Sequence, residues 1–148
     1  MLDSKSIFPE VICLGEALLD RLSPLGIDSF GSDVVDDCLG GAPANVACGL
    51  ARLDDQVAFC GRLGDDFIGT QFQELMRSRK INLSGLQIDK TRPSRIVLVN
   101  RDRFGERSFG GFEGDTGDGF ADQALDCSEL KKIWPFLSRQ ARWLLIGT

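Results

Sequence analysis

The sequence predicts an α/β protein whose parallel sheet is covered by helices. Two short apolar runs that end in glycine, 11–15 and 56–64, are typical of buried central strands. A segment whose apolar residues have helical spacing comes before the second run, at 43–53, and another follows it at 66–80. Strands that alternate with helices along a chain usually form a parallel sheet, so this order of segments indicates the fold class.

The composition supports a globular domain and disfavours several kinds of partner. The 148 residues are 43% hydrophobic and 26% charged, which is enough apolar material for a buried core. A formal net charge of -5 disfavours nucleic acid and anionic membranes, because both require a basic face. No apolar run reaches the roughly 18 residues that span a bilayer, and the N-terminal residues lack the pattern of a secretory signal. We therefore expect a cytoplasmic protein with no nucleic-acid partner and no membrane partner.

The residue types that are missing limit the chemistry further. The chain has no histidine and no tyrosine, which removes the commonest general base, the commonest metal ligand and any Ser-His-Asp triad. Its five cysteines are odd in number and include no CxxC pair, so a disulfide framework or a zinc site is not expected. The chemistry must therefore rest on carboxylates, amides and arginines, and we expect no metal site in the chain.

The first half of the chain supplies the elements on which the candidate motifs lie. A short exposed strand is expected at 34–39, and a helix is expected to begin at Pro43, which suits a first helical turn. Asp65 or Asp66 can cap the next helix. Small and apolar residues cover most of the surface of the first helix, which we therefore expect to be buried rather than amphipathic at the protein surface. These residues are Ala44, Ala47, Cys48, Leu50, Ala51 and Leu53.

The pattern changes after the second helix. Two β-type runs, 94–102 and 106–112, flank a Gly-containing turn and predict a hairpin outside the parallel sheet. Such a hairpin can be a lid that excludes water from a pocket, or equally a surface hairpin or an oligomer contact. Further on, Ser128 is expected to cap a third helix, and 141–148 is expected to be another buried strand.

Two motifs could form a ligand site where the predicted strands end. In "GEALLD", Asp20 could accept hydrogen bonds from two sugar hydroxyls, while Glu16 is better suited to a structural role. In "GGAPAN", Gly40 and Gly41 allow a ligand close to the backbone, and Asn45 adds a donor and an acceptor near the helix start. The same residues also fit a solvated loop and a tight turn. A third motif, "GRLGDD", is interpreted as a glycine turn followed by helix-capping aspartates.

Taken in order, these motifs resemble the ribokinase-like (PfkB-type) carbohydrate kinases, and the fructokinases most closely. The resemblance rests on "GEALLD", "GGAPANVACGLARL", "VAFCGRLGDDFIG" and "RPSRIVLVNRDRFGERSF". It implies a Rossmann-like parallel sheet with helices on both faces and a small β lid, whose segments would lie near 22–39 and 94–112. It also implies transfer of the γ-phosphoryl group of ATP to a sugar hydroxyl with the help of Mg²⁺.

The resemblance implies a binding site for fructose or a related sugar. In that site Asp20 and Asn45 would bind sugar hydroxyls, while Gly40 and Gly41 would present backbone to the sugar and act as the lid hinge. Two residues of the lid also match positions near the sugar: Arg107 and Phe109. Lids of this family often form dimer contacts, so a homodimer through the β lid is expected.

Three departures from the family pattern bear on the activity of this chain. Asp54 stands where a glycine usually ends the helix, and Glu113 stands where an arginine is common on the lid. The Gly-Ala-Gly-Asp signature, which carries the catalytic aspartate of the family, is absent. We therefore expect residues 1–148 to be the N-terminal, sugar-binding part of such a kinase, without the ATP-binding part and inactive alone. Two alternatives remain open: a non-catalytic sugar-binding or interaction module, and a truncated product that cannot fold stably.

Overall fold

The computed structural model describes residues 8–26, 36–114 and 119–147. Within these ranges the chain forms eight strands, three α-helices and a short 3₁₀ helix, Ala121–Ala124. The strands and α-helices, in chain order, are β1 Val11–Leu14, β2 Leu18–Leu22, β3 Asp36–Gly40, α1 Ala42–Arg52, β4 Val57–Gly64, α2 Phe67–Ser78, β5 Asn82–Asp89, β6 Ile96–Arg101, β7 Arg107–Phe112, α3 Cys127–Leu137 and β8 Trp143–Ile146. None of the helices in the described ranges is long and apolar enough to cross a membrane.

The strands form two four-stranded sheets. The first sheet has the order β5-β4-β1-β8, and all three of its pairings are parallel. Helices α1 and α2 pack on one face of this sheet and α3 packs on the other. The predicted class, a parallel α/β sheet with helices on both faces, is therefore confirmed. The second sheet has the order β3-β2-β6-β7 and contains the predicted hairpin, β6 with β7.

Two hydrophobic clusters lie on the opposite faces of the first sheet. Because side chains alternate along a strand, Cys13 and Phe59 point towards α1 and α2, while Ile12 and Ala58 point towards α3. On the α3 side they meet Leu137, which is fully buried. Complete burial of a residue of the size of phenylalanine or leucine contributes about 1.5 to 3 kcal/mol, so these clusters supply much of the folding free energy.

Helix α1 is buried on one face only, which corrects the expectation of a helix that is buried rather than amphipathic at the protein surface. Val46 lies at the border of exposure, and Leu53, just after the helix, is 76% exposed. The helix packs on a single sheet face, so the part of its surface that points away from that sheet has no apolar layer over it among the described residues. The next residue, Asp54, has a φ of 67°, the left-handed conformation that favours glycine and that the family pattern implied for this position.

Strands β2 and β5 were not predicted, and each has a physical reason. The sequence of β2, "LLDRL", contains two adjacent charges, and it becomes a strand because β3 and β6 pair with it on either side. The sequence of β5 is interrupted by Gly85, which weakens the strand pattern. A Cβ atom at Gly85 would lie 2.4 Å from the Sγ atom of Cys60. The glycine is therefore needed for the close approach of neighbouring segments.

Two expectations about the C-terminal segment are also corrected. The predicted strand is present as β8, but it is exposed rather than buried, with Trp143 and Ile146 at 69% and 66% exposure. The reason is its place at the edge of the first sheet, where it pairs with β1 alone among the described strands. The cap of α3 is Asp126 and not Ser128. The Asp126 carboxylate accepts hydrogen bonds from the backbone N–H groups of Ser128 and Glu129.

Asp66 links the start of α2 to the entrance of the second sheet. Its carboxylate caps the helix by accepting the backbone N–H of Gly69 at 2.9 Å. The sequence predicts either Asp65 or Asp66 as the cap, and the structure has Asp66. The same carboxylate accepts the backbone N–H and the hydroxyl of Ser94, at 2.7 and 2.9 Å. Ser94 is buried and lies two residues before β6. One side chain therefore holds a helix of the first layer and a strand of the second sheet in position.

Replacing Asp66 with alanine should lower the free energy of unfolding by about 2 to 3 kcal/mol, because a helix cap and two partly buried hydrogen bonds are lost. Urea denaturation followed by circular dichroism measures the change. Asp65→Ala is the matched control, since the Asp65 side chain is exposed, and its effect should stay within about 0.5 kcal/mol. Equal losses in the two variants would contradict the linking role of Asp66.

Candidate functional site

A cavity of about 530 Å³ lies between the two sheets, at the carboxyl ends of β1 and β8. Ligands of open α/β sheets bind at this edge, and the volume suits a small molecule. Most of its wall is apolar, with Leu14 and Ile146 from the first sheet and Val97 from the second. Four polar or charged side chains also line it: Glu16, Arg95, Asp122 and Gln123.

Close packing of Pro43 positions α1 at the edge of the cavity. Gly15 follows β1 and Gly147 follows β8, and both lie against the proline ring. A Cβ atom at Gly15 would lie 2.1 Å from the carbonyl oxygen of Gly147 and 2.6 Å from Cγ of Pro43. No side chain larger than hydrogen fits at Gly15, so α1 begins directly on the strand ends. The N–H of Ala42, the first residue of α1, donates to Oε1 of the cavity-lining Glu16 at 3.3 Å.

The second sheet brings Asp20 next to Gly40. In the register of β2 with β3, Leu18 lies opposite Gly40 and Asp20 opposite Cys38. A Cβ atom at Gly40 would lie 2.5 Å from Oδ2 of Asp20, so the carboxylate occupies the space that a side chain there would need. Asp20 shares a face of the sheet with Leu18 and with its β6 neighbour Val97, both of which line the cavity. The carboxylate therefore lies beside the cavity, although Asp20 is not one of its lining residues.

Two opposing effects act on the Asp20 carboxyl. Partial burial raises its pKa above the usual value, and the positive charge of Arg107 acts in the lowering direction. Burial is the larger effect, so the net direction is upward. Arg107 begins β7 and lies opposite Arg101 of β6, on the strand that also pairs with β2. A carboxylate that is partly withdrawn from water makes stronger hydrogen bonds than an exposed one, which suits the recognition of hydroxyl groups.

Gly41 and Asn45 also lie at the start of α1. Gly41 is the N-cap residue and has a φ of 94°, and a Cβ atom there would lie 2.8 Å from the backbone oxygen of Glu16. Asn45 lies in the first turn with its side chain exposed, and its backbone N–H donates to the oxygen of Gly41 at 2.9 Å. The structure thus brings Gly40 next to Asp20, while Gly41 and Asn45 follow in the chain at the start of α1.

Phe109 lies further out, on the lid-like second sheet. Its side chain is 66% exposed, and its ring centroid is 5.2 Å from that of Phe112. Phe112, in turn, lines the cavity. Phe109 is therefore connected to the cavity through another aromatic ring and does not itself form part of the wall.

The cavity wall contains a charged pair that sequence reasoning did not single out. Nε and Nη2 of Arg95 donate to the Asp122 carboxylate at 2.7 and 2.9 Å. The Arg95 guanidinium lies 5.0 Å from the ring centroids of both Phe112 and Phe120. This bidentate ion pair, with an aromatic ring beside it from each of two phenylalanines, joins the start of β6 to the 3₁₀ helix. An arginine next to a β-type run does not by itself indicate a site residue. Its partner also lies 27 residues away in the sequence, so the pair could not be predicted.

Glu113 points away from the cavity and interacts with other groups. Arg21 pairs with Asp37 at 2.8 Å and also contacts Glu113. Because side chains alternate along β2, Arg21 lies on the face of the second sheet opposite to that of Asp20. The residue that departs from the family pattern thus takes part in a cross-strand ion-pair cluster behind the cavity.

Carboxylate clusters and thiols are the other reactive groups to consider in the described residues. No group of three or more Cys, Asp or Glu side chains within the described ranges could hold a metal. The cysteines in these ranges are free thiols. Burial raises the pKa of Cys60 to about 12 and that of Cys13 to about 11, so both stay protonated and unreactive near neutral pH.

The chain thus combines a parallel α/β sheet, a second sheet at the carboxyl ends of its strands and a cavity between the two, which defines it as an α/β domain with an added β sheet. A family model described as "pfkB family carbohydrate kinase" matches residues 32–133. This chain belongs to the pfkB family of carbohydrate kinases.

Several of the similar curated proteins are fructokinases. The chain is 39% identical over 100 residues to a fructokinase of Escherichia coli, covering 68% of this chain and 31% of that protein. It is 33% identical over 132 residues to probable fructokinase-7 of Arabidopsis thaliana, covering 88% of this chain and 37% of that protein. The chain thus spans about a third of the length of these curated relatives.

Solved structures of fructokinases share the fold. The crystal structure of the fructokinase from Xylella fastidiosa matches with a TM-score of 0.75 and 30% identity, over 92% of this chain and 40% of that one. The fructokinase of Vibrio cholerae O395, in its fructose-, ADP- and calcium-bound form, matches with a TM-score of 0.66 and 30% identity. That match covers 82% of this chain and 36% of the other.

Alanine at Gly41 should destabilise the chain by about 1 to 3 kcal/mol, because a side chain is strained at positive φ and would collide with the Glu16 backbone. Gly49→Ala is the matched control in the same helix, since nothing lies within 4 Å of its added Cβ. Helix propensity should make that control more stable by up to about 1 kcal/mol. Thermal unfolding distinguishes the two, and a Gly41→Ala variant as stable as the wild type would contradict the packing described at the helix start.

Replacing Arg107 with glutamine should raise the pKa of Asp20 further above its usual value, because the removed charge favours the ionised carboxylate. A carboxyl whose pKa is raised by folding stabilises the protein below its unfolded-state pKa, and this contribution is lost as the pH rises through the folded-state pKa. NMR titration of the Asp20 carboxyl carbon measures the shift. Arg103→Gln is the control, because that guanidinium stacks on Phe104 in the hairpin turn. An unchanged Asp20 pKa in Arg107→Gln would refute the interaction.

Proposed function

We propose that this chain provides the sugar-binding side of a fructokinase-like carbohydrate kinase, with fructose or a related sugar as its ligand. The observation that carries the proposal is the close approach of the Asp20 carboxylate to Gly40 at the end of β3, beside the cavity. The family match and the fructokinase relatives support it. So does the similarity to a fructokinase whose structure is described as fructose-bound.

The groups beside the cavity match the chemistry of a sugar. The two oxygens of Asp20 accept hydrogen bonds from neighbouring hydroxyls, which a carboxylate does well. In the first turn of α1, Asn45 adds a side-chain donor and acceptor. The apolar wall, including Phe112 and Val97, suits the C–H faces of a sugar ring. In this proposal the carboxylate and the helix start orient one edge of the sugar against the apolar wall.

The second sheet acts in this proposal as the lid. It carries Asp20 and joins α1 through Gly41, whose positive φ lies between β3 and the helix. Small changes in backbone angles at such a junction move a sheet relative to a helix. Closure over a bound sugar would exclude water and strengthen every hydrogen bond in the site.

The phosphoryl transfer itself is proposed for the whole kinase and not for this chain. ATP with Mg²⁺ would supply the γ-phosphoryl group to the sugar hydroxyl. The residues described here bind and orient the sugar, and Asp20 is assigned to hydroxyl binding rather than to deprotonation. The family signature that carries the catalytic aspartate is absent from the sequence. We therefore expect fructose binding without turnover.

Fructose titration by calorimetry or by ligand-observed NMR tests the binding site. Hydrogen bonds to a charged group contribute about 1.5 to 3 kcal/mol, so Asp20→Asn should weaken binding by roughly 10- to 100-fold. The substitution should not lower stability, because burial already disfavours the ionised form of Asp20. Asp65→Asn, an exposed carboxylate on the α2 side, serves as the control and should bind as the wild type does. Absence of fructose binding by the wild-type chain would overturn the proposal.

An ADP-release assay with fructose and ATP should show no turnover by the 148-residue chain. Clear turnover would contradict the assignment of sugar binding to this chain and of phosphoryl transfer to the whole kinase.

A further inference from the structure

The positive charge in the cavity wall is neutralised by the wall itself. Among the described residues that line the cavity, Arg95 is the only lysine or arginine. Its Nε and Nη2 groups donate to the two carboxylate oxygens of Asp122, and the side chains of the pair are 15% and 7% exposed. A bidentate ion pair at this burial is strong, because water competes little for its hydrogen bonds. Glu16 also lines the cavity, so the described lining carries a net negative charge.

Arg95 lies close to the position that we assign to the sugar. Val97 is opposite Asp20 in the register of β6 with β2, and both Val97 and Arg95 line the cavity. Arg95 comes two residues before Val97, so its side chain leaves the second sheet on the same face as that of Val97 and Asp20. A ligand bound by Asp20 would therefore lie one step along the sheet from the Arg95 side chain.

The Arg95 guanidinium is held by more than Asp122. It lies 5.0 Å from the ring centroids of both Phe112 and Phe120. Phe120 is buried, and Phe112 lines the cavity. The attraction between a cation and an aromatic ring adds to this packing. The guanidinium therefore keeps supports in the wall that do not depend on the charge of Asp122.

The charge balance of the wall distinguishes classes of sugar. An anionic sugar would lie near the carboxylates of Glu16 and Asp20, while Asp122 neutralises the cation of the described lining. Like charges that are brought together without water weaken binding. An uncharged sugar needs no counter-charge and can donate its hydroxyls to the same carboxylates. Because specificity is a difference between two affinities, repulsion of the anion selects the uncharged sugar.

We propose that the ion pair of Arg95 with Asp122 makes the cavity selective for uncharged sugars over sugar acids, with Asp122 as the specificity-determining residue. This inference rests on the proposed sugar-binding function and adds the class of sugar to it. Removing the negative charge of Asp122 leaves a cation in the wall without its counter-charge, which is unfavourable at a buried position. The carboxylate of a sugar acid would then replace Asp122 as the partner of Arg95.

The test compares fructose with the two sugar acids in which C1 or C6 of fructose is oxidised to a carboxylate, 2-ketogluconate and fructuronate. Each is titrated into the 148-residue chain and followed by ligand-observed NMR. The wild-type chain should bind fructose at least about 10-fold more tightly than either acid. Asp122→Asn keeps the size of the side chain and one acceptor for Arg95. It should raise the affinity for at least one acid by roughly 10-fold, because a hydrogen bond between charged groups is gained.

Two further variants show whether the gain comes from Arg95. The double variant Arg95→Gln/Asp122→Asn removes both charges and should lose the gain in affinity for acids. Asp37→Asn is the matched control, because it removes an acid from the ion pair with Arg21 behind the cavity and changes the net charge equally. It should bind all three ligands as the wild type does.

Melting temperatures identify the variants that fold. If folded Asp122→Asn gains no affinity for either acid, or if the double variant or Asp37→Asn gains as much, the inference alone is overturned. If Asp122→Asn does not fold, the wild-type chain decides: weaker binding of both acids than of fructose supports the inference, and equal or tighter binding of an acid overturns it. A wild-type chain that binds none of the three ligands would overturn the proposed function and this inference with it.

Discussion

Pro43 packs against two glycines at the carboxyl edge of the first sheet, and the position of the site depends on this contact. The spaces at Gly15 and Gly147 are too small for a side chain, so the ring lies directly on the ends of β1 and β8. Proline at the first helical turn sets the backbone angle without removing a needed hydrogen bond. The start of α1 consequently lies at the edge where α/β sheets bind ligands, and the N–H of Ala42 donates there to Glu16.

The second sheet depends on a small number of polar anchors. Asp66 holds Ser94 at the entrance of β6, and Arg95 pairs with Asp122 of the 3₁₀ helix. Both contacts lie at the same end of the second sheet and connect it to segments of the first layer. With that end held, β2 carries Asp20 to a position beside Gly40, and the cavity forms between the sheets. The Asp66 carboxylate therefore stabilises the fold, while the Asp20 carboxylate belongs to the ligand site that we propose.

Sequence periodicity was informative wherever a residue's role is set by its neighbours along the chain. The apolar runs predicted β1 and β4, and the Asp66 cap follows from its place directly before α2. The same reasoning failed for β2 and β5, because their strand conformation comes from partners on either side and, at Gly85, from close packing on Cys60. Exposure was also misjudged for β8, since an edge strand and a central strand can have the same apolar sequence.

The sequence by itself determined the α/β class, the helix start at the "GGAPAN" motif and the candidate residues Asp20, Gly40, Gly41 and Asn45, because these depend on local backbone chemistry and on motif order. Only the tertiary structure decided that Arg95 and Asp122 form one pair in the cavity wall. It also decided that one oxygen of Glu16 lies buried without a partner in the described chain. Contacts of this kind join segments far apart in sequence, and their geometry exists only when both sheets are assembled.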